Sequence, residues 1–343
     1  MTATPSGANS SRRRIVLLLI GIPIGLALLV PAMVFAFIAP AIGSGPSNLP
    51  IAVSGPAPVV EQLTATLDTA QPDAFEFRTL DSADAVRESV FDRETVGGIS
   101  FGADGAVTVT VASAAGTPYA TLLNGVAASL RQTGATVTVD DVAPLGVDDP
   151  AGAGLAALGL PLAFGGIISA VLLATQLRGR PWLKLLGSLA ASLTVGFAVT
   201  AVLQFGFGTL DGNYGLTALS LSLGVAAISL FVLGLESVLG FAGLGIGAVT
   251  MMFLGNPLAG MATGWQWLPA PWGAIGQALP IGASGTLVRS TAFFDGHGAG
   301  TPVLVLLAWV AAGIVLVGVA ALRDRRRRDA LRAPTTRDVP VTA

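Results

Sequence analysis

Nucleotide hydrolysis by a membrane pump usually relies on a phosphate-cradling G-x-x-x-x-G-K-[ST] loop, in which backbone amides surround the phosphates and the lysine neutralises them. The only lysine of this chain, Lys184, stands in Trp182-Leu183-Lys184-Leu185, without the preceding glycine or the following Ser or Thr. Any use of ATP therefore calls for a separate subunit. The chain has no cysteine, which removes thiolate metal sites, disulfides and cysteine nucleophiles together. Its single histidine, His297, has no identifiable partner and reads as a loop residue, as do Arg289 and Asp295. The acidic doublets Asp140-Asp141 and Asp148-Asp149 lack the spacing of a calcium loop and read as solvated faces. No catalytic, metal, cofactor or nucleic-acid site is expected.

Three groups of residues remain as candidates. Glu236 is the only charge between Leu216 and Gly260. An ionisable residue in so apolar a stretch is a gating or proton-relay candidate, and the competing reading is a solvated carboxylate in a turn between helices. No basic partner for it is expected in the spans. The loop Gln176 to Lys184 gathers Arg178, Arg180, Pro181, Trp182 and Lys184. It is either a docking element for a cytoplasmic ATPase or a positively charged anchor with an interfacial tryptophan. Trp265, Trp267 and Trp272 lie among Pro257, Pro269, Pro271 and Pro280. They are candidate outer interface anchors, and the segment 257–300 that holds them is either a surface loop or a broken hairpin dipping into the bilayer.

The elements that carry these residues follow from composition. Of 343 residues 52% are hydrophobic and 11% charged, against about 25% charged in soluble domains, so lipid must solvate most of the chain. Ile15 to Ala39 is apolar and, at about 1.5 Å per residue, exceeds a ~30 Å hydrocarbon core. It follows Arg12-Arg13-Arg14, an opening shared with signal peptides, but their apolar region is only about 7–15 residues, which favours an uncleaved anchor. Further spans are expected at about 155–177, 183–205, 215–235, 238–258 and 302–322, with a tight turn at Glu236-Ser237 between the fourth and fifth spans.

Between the first and second spans the composition changes. From Ile51 to Pro150 there are fourteen acidic and four basic residues. Short alternating stretches at Ile51-Ala52-Val53, Phe75-Glu76-Phe77, Gly98 to Phe101, Val107 to Val111 and Val137-Thr138-Val139 read as strands. Helices are expected at about 56–70, 82–91 and 117–132, the second capped by Asp81 or Ser82. The expected fold class is thus a membrane all-α bundle of six helices with an extracytoplasmic α/β domain, residues 45–150, inserted between helices 1 and 2. Basic clusters at Arg12 to Arg14, Arg178 to Lys184 and Arg323 to Arg328 fall on one side only if the spans number six. That places both termini, the tail 1–14 and the basic tail 323–343, in the cytoplasm of a multi-pass plasma-membrane protein.

Several stretches resemble a known family. Leu49-Pro50-Ile51-Ala52-Val53 opens the α/β unit, Thr95-Val96-Gly97-Gly98-Ile99 lies in its middle, and Val111-Ala112-Ser113-Ala114-Ala115-Gly116 follows its hairpin. Asp141-Val142-Ala143-Pro144-Leu145 and Asp148-Asp149-Pro150 lead to the second span, and Ala278-Leu279-Pro280-Ile281-Gly282 with Arg289 precedes the last. Over most of residues 12–322 the chain resembles the type-2 ABC transporter permeases, and more closely their phage-infection-protein-like relatives. The resemblance implies a permease subunit that dimerises as a homodimer or heterodimer and pairs with separate ATPase subunits. Its action would be to export or extract a lipid-like or amphipathic substrate, with the Arg178 to Lys184 loop as the coupling contact. The short polar segment before Arg12 departs from the family's amphipathic interface helix. The competing expectation is a non-transporting cell-envelope protein whose outer domain binds another surface component.

Overall fold

The computed structural model describes residues 7–332, and side chains for 15–329. The polar tail before residue 7 and the basic tail beyond 332 lie outside the described residues, as do the side chains of Arg12, Arg13 and Arg14. The chain opens with helix α1 (Gly7–Ile42). Then comes an α/β unit of strands β1 (Leu49–Ser54), β2 (Phe75–Thr79), β3 (Gly97–Phe101), β4 (Val107–Val111) and β5 (Val137–Asp141) with helices α2 (Ala57–Ala70), α3 (Ala83–Phe91) and α4 (Thr117–Gln132). These elements fall where alternation and capping put them; Ser82, not Asp81, caps α3 by accepting the Ala85 N–H at 3.1 Å.

The sheet order is β2-β1-β3-β4-β5, parallel except for the β3–β4 hairpin. Adjacent residues of a strand face opposite sides, and Gly97-Gly98 uses both. A side chain at Gly97 would strike Leu123 of α4, and one at Gly98 would strike Val86 of α3. Leu49, Ile51, Val53, Val60, Leu63, Tyr119 and Leu123 form the core on the α2/α4 side. On the α3 side Val90 packs with Ala112, Ala114, Ala143 and Phe294, and so joins the sheet to the helical part of the molecule.

The helical part comprises α5 (Ala153–Ala157), α6 (Gly159–Gln176), α7 (Pro181–Ala201), α8 (Tyr214–Leu239), α9 (Phe241–Val249), α10 (Trp272–Gln277), α11 (Pro280–Phe293) and α12 (Gly300–Arg332). Helix α8 is the central one, packed by α6, α7, α9, α11 and α12. Its most apolar window is 78% buried, whereas that of α1 is 0% buried. Small residues permit this: a Cβ at Gly166 would meet Ile228, one at Gly196 would meet Ser222, and one at Gly224 would meet Ser284. Gly234 and Gly313 bring α8 and α12 together, and a Cβ at Gly234 would lie 2.9 Å from the Gly313 carbonyl oxygen.

Five described helices are long and apolar enough to cross a membrane: Ile15–Ile42, Ala153–Gln176, Pro181–Gly206, Tyr214–Leu239 and Gly300–Asp329. The expected span 238–258 differs. It is a shorter apolar helix, Phe241–Gly255, ending in a π-helical turn from Thr250, and its 15 residues rise only about 22 Å. The reversal before it comes at Gly240, φ +65°, and not at Glu236-Ser237. A glycine can take that left-handed conformation without steric cost. Arg323 to Arg332 continue α12 as helix.

Replacing Gly313 with Leu should force α8 and α12 apart, because the added side chain meets the Leu230 and Phe231 backbone. Overpacking of this kind costs about 1–3 kcal/mol or more, measured as a lower Tm of the purified protein in detergent. Gly318→Leu, where nothing lies within 4 Å, should leave Tm nearly unchanged.

Candidate functional site

Helices α7 and α8 are antiparallel neighbours, so the first turn of α7 lies beside the last turn of α8. Lys184 sits in the former and Glu236 in the latter, and their side chains meet at 2.7 Å. Each charge opposes the dipole of its own helix: a cation at an N-terminus and an anion at a C-terminus. Pairing neutralises both. The side chains are 8% and 18% exposed, so desolvation makes either one unfavourable alone. The expectation that Glu236 has no basic partner is corrected: Lys184 supplies it, 52 residues earlier in the chain. Glu236 is neither a solvated turn carboxylate nor an isolated charge in a span.

The pair forms the inner wall of a recess of about 630 Å³. Arg178, Arg180, Pro181 and Trp182 come from the loop before α7, and Asp324, Arg325 and Arg328 from the last turns of α12. Five cations face two carboxylates there. Pro181 begins α7, where its missing N–H costs no helical hydrogen bond, and Gly179 at φ +73° bends the chain ahead of it. Trp182 is 70% exposed beside the recess. The residues of the loop are therefore brought together as the sequence grouped them, except that Lys184 is buried and committed to Glu236. The α12 residues escaped the sequence reading because they look like an ordinary basic tail. The Lys184–Glu236 pairing had a signal: each is the lone charge at the far end of consecutive apolar helices, ends that an antiparallel hairpin brings together.

At the opposite end of these helices, the segment 257–300 folds into a hairpin against the α/β unit. Its first limb touches the sheet domain where Tyr119 donates to Gln266 Oε1 at 3.2 Å and packs edge-on against Trp267, ring centroids 5.7 Å apart. Its bend reaches inward to α12, where Trp309 Nε1 donates to the Ala278 carbonyl at 2.8 Å. The second limb, α11, returns to the α/β unit, where Arg93 Nη1 donates to the Thr286 carbonyl at 3.0 Å and to Ser290 Oγ at 2.6 Å. Trp267 and Trp265 are thus partly buried at the junction, and Trp272 is the exposed one of the three, at 37%.

Arg289 is not a loop residue. It is buried within α11 at 4% exposure and donates to the carbonyls of Gly260 and Met261. His297 does occupy a turn, yet it has a partner: Nδ1 lies 2.6 Å from Asp92 Oδ1 of the α/β unit. The helix interior also holds more polarity than its apolar runs suggest. Ser188 donates to Ser229 Oγ at 2.9 Å, and Ser192, Thr200, Thr217 and Ser284 are buried nearby on α7, α8 and α11. No group of three or more His, Asp or Glu able to hold a metal occurs among the described residues.

No family model matches the chain, and no curated protein or solved structure matches it either. What the structure defines is a predominantly helical protein with several helices suited to a bilayer and a small mixed sheet.

Removing one member of the buried pair leaves the other uncompensated, so Lys184→Met or Glu236→Leu should cost about 3–5 kcal/mol. The double replacement Lys184→Met with Glu236→Leu should cost clearly less than the sum of the singles. A double-mutant cycle on unfolding in detergent measures this coupling.

Proposed function

We propose that this chain is the membrane-embedded permease subunit of an ABC-type exporter, served by a separate cytoplasmic ATPase subunit and working as a dimer of permeases. The single observation that carries the reading is the basic recess formed by the 178–184 loop, the end of α8 and the last turns of α12. A loop between two helices, backed by a buried ion pair, is a stiff element through which a docked partner can move α7 and α8 as a unit. Its surplus of cations attracts an acidic surface and lies at the same end of the helices as Arg323 to Arg328, which favours the cytoplasmic side. Resemblance to the type-2 permeases points the same way.

In this reading α1, α5 with α6, α7, α8, the broken Phe241–Gly255 helix and α12 make six crossings. The shorter fifth crossing is completed by the backbone that follows it, because irregular backbone is tolerated at depth when buried in protein. The hairpin 257–300 is re-entrant from the outside, and the acidic α/β unit is extracytoplasmic. The lack of other buried ion pairs among the described residues suits a lipid-like or amphipathic cargo better than an ion.

Two measurements test these points. The chain has no native cysteine, so Thr69→Cys on the exposed face of α2 gives a single label site; a membrane-impermeant maleimide applied to intact cells should label it. Labelling only after lysis would reverse the orientation. Purification of the intact protein should recover an ATPase subunit, and Arg178→Glu with Arg180→Glu and Trp182→Ala should lower that recovery by tenfold or so, as expected for removal of interfacial anchors worth roughly 1.4 kcal/mol or more in total. Biological activity that persists with no ATPase associated, and that is indifferent to these changes, would favour a membrane-anchored binding protein instead.

A further inference from the structure

A second cavity, of about 400 Å³, lies between the α/β unit and the hairpin, within the roughly 300–1,000 Å³ of small-molecule sites. Arg93 and Tyr119 line it from the α/β unit, and Gln266, Gln277, Thr286 and Arg289 from the hairpin. Two arginines thus line one cavity, and no acidic side chain lines it. Among the described residues no carboxylate lies within 4.0 Å of either arginine. The nearest acidic neighbour in sequence on one side, Asp92, is engaged with His297.

The arrangement is incomplete as it stands. Arg289 is 4% exposed, its two terminal nitrogens donate to backbone carbonyls, and its Nε is buried without a partner. Arg93 uses Nη1 for Thr286 and Ser290, and its guanidinium carbon sits 5.0 Å above the Phe294 ring. A buried cation without a counter-charge, such as Arg289, is strongly unfavourable, and the charge of the half-buried Arg93 adds repulsion. Tyr119 does not relieve this, because burial pushes its phenol well above the usual range and keeps it neutral. Burial, and then the charge of Arg289, bring Arg93 down to about 10, which still leaves it protonated at neutral pH. What the cavity lacks is negative charge with several acceptor oxygens. Arginine forks match that chemistry in phosphate and carboxylate groups, and of the two a tetrahedral phosphate presents more acceptor oxygens, in more directions, to two arginines at once.

We propose that the cavity between the α/β unit and the 257–300 hairpin is a binding site for a phosphate-class oxyanion, held between Arg93 and Arg289. Occupancy locks the α/β unit onto the hairpin, since the two arginines belong to the two parts. The source is either free phosphate or the head group of an anionic phospholipid. The site extends beyond the exporter reading and stands or falls apart from it.

The test uses the full-length protein, first in detergent with inorganic phosphate against chloride at equal ionic strength, then in nanodiscs of phosphatidylcholine with or without phosphatidylglycerol. Thermal stabilisation that rises with phosphate identifies the free anion, whereas stabilisation by phosphatidylglycerol alone identifies a lipid head group. Arg93→Gln should raise the apparent Kd by about tenfold or more, as for loss of a charge-assisted contact. Thr301→Trp keeps both arginines and fills the cavity wall contributed by α12, so it should abolish the stabilisation and serves even where an arginine variant does not fold. Stabilisation of the wild type by neither probe, or equal stabilisation of Thr301→Trp, would overturn the proposal. Because the readout needs no ATPase, absence of such a partner would defeat the exporter reading and leave this one intact.

Discussion

Everything in the helical part depends on how closely other helices approach α8. Inside a bilayer apolar side chains gain little by leaving lipid, so helix association rests on close packing and a few polar contacts. Gly196, Gly224, Gly234 and Gly313 remove the Cβ atoms that would otherwise hold α7, α11 and α12 away. Once α8 is enclosed, its last turn has to lie beside the first turn of α7, and Glu236 has to be neutralised where it stands. Lys184 is the only side chain among the described residues that does so.

The two ends of this helix set are chemically different. At one end the buried ion pair underlies a basic recess. At the other, the α/β unit is held by Arg93, Asp92, Tyr119 and Gly45, which bond to Ser290, His297, Gln266 and Trp267 respectively. The hairpin 257–300 ties the α/β unit to the helices: its limbs hold the α/β unit, and its bend bonds to Trp309 in the first half of α12. A shift of α12 therefore reaches the junction through packed side chains and a hydrogen bond, and the junction reaches α8 through Ser284 against Gly224.

The junction also shows how a polar interior is tolerated beside apolar helices. Part of its hydrogen-bonding capacity is met by backbone carbonyls of an irregular segment: the two terminal nitrogens of Arg289 donate to Gly260 and Met261, while its Nε has no partner. Buried polar groups need such partners; irregular backbone supplies them to Arg289, and a helical carbonyl, that of Thr286, and the Ser290 hydroxyl supply them to Arg93. The irregular backbone at Gly260 and Met261 brings two carbonyls within reach of Arg289. The irregularity of the segment and its charge thus belong to one arrangement.

The sequence by itself determined the apolar helices and the strand and helix order of the α/β unit, because both are written in local periodicity and need no knowledge of neighbours. It also determined that no P-loop exists, since a motif is a matter of spacing alone. Only the tertiary structure decided the roles of the charges. Lys184 and Glu236 are 52 positions apart, and Arg93 and Arg289 belong to different parts of the chain, so no local pattern connects them. The reversal at Gly240 instead of Glu236-Ser237, and the shortened helix after it, were likewise tertiary outcomes: an ion pair let the charged residue remain in the helix, and the chain turned at the next glycine. Arg289 read as a loop residue because a cation in a short Gly-rich stretch normally seeks water; its burial depends on carbonyls that the fold brings to it from Gly260 and Met261.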